Sequence, residues 1–141
     1  MNLRHLPRIA CFTIVAVLCL GHTEAAESGG CGGGGGHAEI ASGATCPETD
    51  APTAASFGTA FMQTYCLSCH SASVTGSKRE SAPPDFNFDT VEDVRFHAMH
   101  IDEHAASGPG ATNTEMPPAN KPKPTLHERE LLGQWLACGA P

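Results

Sequence analysis

The chain has 141 residues, enough for one small domain with appendages and too few for two ordinary enzyme domains. Charge is sparse and acidic, 8 Lys and Arg against 15 Asp and Glu for a net charge of −7, and the basic residues are scattered, which argues against nucleic acid and anionic membrane surfaces as partners. With one Trp, one Tyr and six Phe, so short a chain needs a staple or a bound group to complete its core, and its seven cysteines point to where that help comes from.

In chain order, Arg4 and Arg8 precede an apolar run from Ile9 to Leu20, followed by small and polar residues around Thr23, Ala25 and Ala26. This pattern predicts a secretory signal peptide over residues 1–25, cleaved near Ala25, and so an exported, periplasmic chain in an oxidising compartment. A membrane span needs about 20 apolar residues, and His22 and Glu24 end the run sooner. Cys19 at the end of the run and Cys31 in the glycine tract are alternative sites for a lipid anchor, which would be the chain's membrane contact. Residues 26–45 read as a flexible tether: seven glycines lie between Gly29 and Gly36, and such sequence loses too much conformational entropy on ordering to join a core. The folded domain is therefore expected over residues 46–141.

A helix is expected from Thr53 to Tyr65, where Phe57, Phe61 and Tyr65 recur at i, i+4 and i+8 and share one face. It runs into Cys66-Leu67-Ser68-Cys69-His70, the C-x-x-C-H pattern that attaches a c-type haem. Thiols at this spacing can each add to one vinyl group of a single porphyrin, while the adjacent imidazole reaches the iron. A chain of this composition would produce the pattern by chance only about 0.02 times. A thioredoxin-like redox pair would need a βαβ context, and half a zinc site would need another C-x-x-C or a paired ligand motif at suitable spacing. Neither companion pattern is present in the sequence.

Through this motif the chain resembles the single-haem class I cytochromes c, over roughly residues 46–141. The resemblance implies an all-α, cytochrome c-like small helical domain wrapped around one covalently bound haem c. Carried over to this sequence, Cys66 and Cys69 form the haem thioethers and His70 is the proximal iron ligand. Met116, in Thr114-Glu115-Met116-Pro117-Pro118, stands where the family has the distal ligand on a proline-stiffened loop. Gly58, eight residues before Cys66, matches the family's glycine at the contact between the first and last helices, whereas Met62 occupies the usual aromatic position and Phe61 lies beside it. Pro83 and Pro84 follow at the distance of the family's proline carbonyl that accepts a hydrogen bond from the proximal imidazole; equally, they read as loop breakers before Asp85.

Thr90-Val91-Glu92-Asp93 opens a further helix, whose core stripe is Val91, Val94, Ala98, Ile101 and Ala105. His97, His100 and His104 fall within roughly 60° of one another beside that stripe. They read as a solvated flank near the haem edge, as alternative iron ligands replacing Met116, or as a second metal site built on His100 and His104, which lacks an obvious added carboxylate although Asp102 and Glu103 are near in sequence. The last helix is expected from Leu126, capped by Thr125 and Glu128, with Leu131, Leu132, Trp135 and Cys138 on one face and Gly139 ending it. Trp135 is expected to pack on Phe57 or Phe61. Because the family packs its first and last helices together, the resemblance implies a disulfide between Cys46 and Cys138; the rival pairing joins Cys31 to Cys46.

The function implied is that of an electron carrier rather than an enzyme, passing one electron between redox protein partners. From Cys46 onward 12 acidic residues face 6 basic ones, so a partner with a basic docking face is expected, with Lys121 and Lys123 a small local exception. Two alternatives belong to other classes. One is a haem-based sensor in which a diatomic ligand displaces Met116. The other is an accessory haem subunit of a membrane-bound oxidoreductase, held there through the tether.

Overall fold

A computed structural model describes residues 40–141. The expected signal peptide, Cys19, Cys31 and most of the expected tether lie outside the described residues. Within them the protein is helical, and strand pairing is limited to an isolated bridge between Ser107 and Thr112. No helix among the described residues is long and apolar enough to cross a membrane.

Three threonine caps start the helical segments, each satisfying amide groups that the first turn would otherwise leave unpaired. Thr53 accepts from the Ser56 amide, opening a π-helical turn over Ala54–Gly58 that continues into α1, Thr59–Tyr65. Along this segment Phe57, Phe61 and Tyr65 stack in sequence, with ring centroids 5.3 and 4.9 Å apart. The chain breaks at Cys66 and resumes as α2, Leu67–His70. Thr90 and Asp93 cap α3, Val91–Phe96, and α4 follows over Ala98–Ala105. The single helix expected here is interrupted at His97, whose ring lies against Phe86, Phe88 and Phe96 at centroid distances of 4.5, 5.6 and 4.9 Å. Thr125 and Glu128 cap α5, Leu126–Ala137, and Gly139 at φ 80° ends it in the left-handed conformation.

The core lies between α1, α4 and α5. Phe61, Met62, Val94, Ile101, Leu132, Trp135 and Leu136 are all buried. Trp135 meets Phe57 edge to face, with centroids 6.4 Å apart. Gly58 permits this approach: a Cβ there would lie 2.2 Å from Cζ2 of Trp135. Cys46 and Cys138 form a disulfide that ties the entry of the domain to the end of α5, with Cα atoms 4.7 Å apart.

The start of the folded region needs correcting. Ile40 to Ala44, assigned to the tether, pack into the domain. The Ser42 amide and hydroxyl both donate to the Asp102 carboxylate, at 2.7 and 2.6 Å, and both residues are fully buried. The segment turns at Ala41 and Ser42 and sits in a slot floored by glycines, since a Cβ on Gly108 would meet the Ser42 carbonyl at 2.6 Å and one on Gly133 would meet the Ala44 side chain at 2.8 Å. Short side chains on both sides make the fit, so the small residues of this segment serve packing rather than flexibility.

Candidate functional site

A cleft of about 240 Å³ opens beside α2 and gathers residues from four separate stretches of chain. Cys66, at the break before α2, and Cys69 and His70 on it line one side, Met116 and Pro117 come from the loop before α5, and His100 and His104 from α4. Phe61, Phe86, Phe88 and Ile101 make much of the remaining wall apolar, which suits a flat hydrophobic ligand rather than a small polar substrate.

Both thiols of the motif are free. Burial pushes the Cys66 thiol up to about 12, and Cys69 beside it adds to the rise. A dithiol redox centre needs the opposite shift, toward a stable thiolate, so this environment counts against the thioredoxin-like reading. Burial is also the main influence on His70, whose imidazole is pushed below its ordinary value; Arg79, His100 and His97 add to the fall, and the Phe86 carbonyl opposes it. The ring is thereby kept neutral at neutral pH, the form in which imidazole binds a metal.

His70 Nδ1–H donates to the Phe86 carbonyl at 2.9 Å, leaving Nε2 as the free donor atom of the ring. The acceptor is therefore Phe86 rather than Pro83 or Pro84. The Pro83 carbonyl is occupied elsewhere: it accepts from Arg79 at 2.6 Å and from the Phe86 amide at 3.1 Å. The two prolines act as loop breakers that bring the Phe86 carbonyl to the imidazole. On its other flank His70 stacks on Phe88, with centroids 4.5 Å apart and planes inclined by 12°.

Met116 is held through its backbone. Its amide donates to the His104 carbonyl and its carbonyl accepts from Arg129, both at 2.9 Å, while its side chain remains 42% exposed at the cleft. Glu115 beside it accepts from His104 Nδ1 at 2.6 Å. Lys123 donates to the Pro117 carbonyl, and Lys121 pairs with Glu80 at 2.8 Å, so the local basic patch expected from these two lysines is tied into local contacts.

Of the three stripe histidines the cleft receives two. His100 and His104 line it, whereas His97 belongs to the aromatic cluster of Phe86, Phe88 and Phe96. Asp102, a neighbour of that stripe in sequence, is turned inward to Ser42 and leaves Glu103 as the nearby exposed carboxylate.

Two buried arginines escaped the sequence reading. Arg79 donates to the carbonyls of Ser71, Val74, Ala82, Pro83 and Phe86 and to Asn87 Oδ1. Arg129 donates from one nitrogen to the carbonyls of Ala105, Asn113 and Met116 at 2.7 to 2.9 Å. Arg129 lies one residue after Glu128, the capping glutamate of α5; no local pattern marks Arg79. Comparison with protein-family models, curated proteins and solved structures finds no match for this chain.

Proposed function

We propose that this protein is an exported single-haem c-type cytochrome that carries one electron between larger redox partners. The observation that carries the reading is the convergence of Cys66, Cys69, His70 and Met116 on one apolar cleft, from positions up to 50 residues apart in the chain. The donor set fits the group: two unpaired thiols at the attachment spacing, a neutral imidazole with one nitrogen fixed, and a thioether on a different loop. A haem bound here supplies an iron centre that accepts and releases one electron.

Each residue then has a defined task. Cys66 and Cys69 would anchor the group covalently, and His70 and Met116 would hold its iron. Phe86 orients the His70 ring through its carbonyl, and Arg129 with the His104 carbonyl fixes the backbone of Met116. The apolar wall keeps water from the centre, which raises the potential together with the thioether ligand. With His70 and Met116 both given to the iron, no position would be left for a substrate, and the activity supported is outer-sphere transfer at the exposed cleft mouth. The acidic balance favours a basic-faced partner and an association that slows with salt.

A second reading is favoured by the 42% exposure of Met116, which would ease its displacement by a diatomic ligand in a sensor. One experiment separates the two. In protein made with haem-attachment machinery, the oxidised absorption spectrum should show the weak far-red sulfur-to-iron band and Met116→Ala should abolish it. If wild type lacks the band and its ferrous form binds carbon monoxide tightly without unfolding, the carrier reading fails and the sensor reading replaces it.

A further inference from the structure

We propose that His100, Glu103 and His104 form a second metal site, for a divalent transition ion of the zinc and copper class, at the rim of the cleft. The three side chains lie on one face of α4, and a nitrogen from each histidine and a carboxylate oxygen of Glu103 all fall within 4.8 Å of one another. The two imidazoles are one helical turn apart with centroids separated by 4.4 Å. Donor atoms around a tetrahedral zinc are roughly 3.3 Å apart, a spacing that modest side-chain rotation of the exposed His100 and Glu103 supplies.

A second observation points the same way. Glu115, from the loop that carries Met116, accepts from His104 Nδ1 at 2.6 Å. This carboxylate selects the tautomer of His104 in which Nε2 carries the lone pair and fixes the ring plane, the arrangement found behind histidine ligands to zinc. Asp102 takes no part, because both its oxygens are committed to Ser42. Two imidazole nitrogens with one carboxylate oxygen favour zinc, copper or nickel over calcium or magnesium, which prefer oxygen throughout, and leave a coordination position for water. The site would also join α4 to the Met116 loop, which is already bound to it by the Met116 amide and the His104 carbonyl.

The inference goes beyond the electron-carrier reading and is tested on the same isolated, haem-loaded protein. Zinc chloride is titrated calorimetrically into chelator-washed protein while the absorption spectrum is recorded. The expected result is saturable uptake of one zinc per chain with the iron bands unchanged. Saturable uptake should be lost in the H100A/H104A double variant, and affinity should fall by about 10-fold in Glu115→Gln. Far-ultraviolet circular dichroism establishes that the variants fold, and Glu103→Gln provides an independent ligand deletion. Absence of saturable uptake overturns the proposal, as does wild-type affinity in the double variant. A change of the iron bands on replacing His100 or His104 also overturns it, since the histidines would then serve the iron. A chain without haem absorption would count against the carrier reading alone, because the zinc isotherm does not depend on it.

Discussion

Replacing Gly58 by alanine tests how closely the first helical segment approaches the last. The backbone there has φ −59° and ψ −46°, ordinary helical values, so local propensity favours alanine by up to about 1 kcal/mol. The tertiary contact opposes it. The added Cβ would stand 2.2, 2.4 and 2.5 Å from Cζ2, Cη2 and Cε2 of Trp135, where ordinary contact begins at 3.4 Å. The indole or the helix must therefore shift by about 1 Å. Trp135 is 1% exposed, packed against Phe57, and donates through Nε1 to the Pro141 carbonyl at 3.3 Å, so it has little room to yield. Overpacking of this kind costs about 1 to 3 kcal/mol, and with the clash on a rigid ring the upper end applies. After the helical gain is subtracted, a net loss of about 2 kcal/mol remains, equivalent to a drop of roughly 8 to 15 °C in melting temperature. Thermal unfolding of the purified protein, followed by far-ultraviolet circular dichroism, measures it. Phenylalanine lacks the outer indole carbons, so in G58A/W135F the combined loss should be smaller than the sum of the single losses by more than about 0.5 kcal/mol. A Gly58→Ala protein that melts at or above the parent would refute the close approach itself.

Further predictions concern the entry segment, the last helix and the disulfide. Asp102→Ala strands the buried Ser42 amide and hydroxyl and should lower stability by about 3 kcal/mol in urea unfolding, while a chain beginning at Cys46 should be less stable than one beginning at Ile40. Glu128 is held below the ordinary carboxylate range, first by the Thr125 amide and then by the Thr125 hydroxyl, with the Tyr65 hydroxyl adding a smaller pull. Its stabilisation is accordingly complete above the unfolded-state value of about 4.3 and is lost as pH falls through the lower folded-state value. The gap in melting temperature between wild type and Glu128→Gln should shrink as pH falls below about 4, and a constant gap would contradict the assignment. Cys138→Ser opens a loop spanning 92 residues, and a loss of about 4 kcal/mol is expected from the restored freedom of the unfolded chain; an unchanged denaturation midpoint would show that the bond contributes nothing.

The features legible in the sequence were those encoded by neighbours. The caps read at Thr90 and Thr125 each pair a threonine with a residue three positions on, Asp93 and Glu128, and so need no knowledge of the rest of the fold; the cap of Thr53 with Ser56 follows the same local rule but was not anticipated. The same holds for the C-x-x-C-H spacing and for the aromatic face of α1. What escaped was encoded by partners distant in sequence. Ala41-Ser42-Gly43-Ala44 cannot be told from a tether by composition, because the information that orders it lies in Asp102, Gly108 and Gly133. Asp102 is hidden for the same reason: the sequence shows only that it lies between two histidines, whereas its helix turns it into the core. The interruption at His97 was hidden by an apolar stripe that runs through it unbroken, and it becomes intelligible only with Phe86 and Phe88 packed against the ring.

The two arginines show how a cleft can be built from loops that have little regular structure. The stretch after His70 and the stretch before α5 leave many carbonyls without helical or sheet partners, and a buried carbonyl without a donor is costly. One planar guanidinium, with five donors in a fixed fork, can meet several such groups at once, which an ammonium cannot do with the same geometry. Arg79, 7% exposed, gathers six acceptors from Ser71 to Asn87 and so shapes the wall that carries the His70 contact. Arg129, 4% exposed, gathers three from Ala105 to Met116 and shapes the opposite one. Among the described residues neither has a carboxylate partner, and burial pulls the Arg129 guanidinium below its ordinary value, with Tyr65 opposing. Carbonyl dipoles solvate these cations without cancelling them. The guanidinium of Arg79 therefore stands on the cleft wall of an otherwise acidic protein, held there by carbonyls and not by a counter-charge.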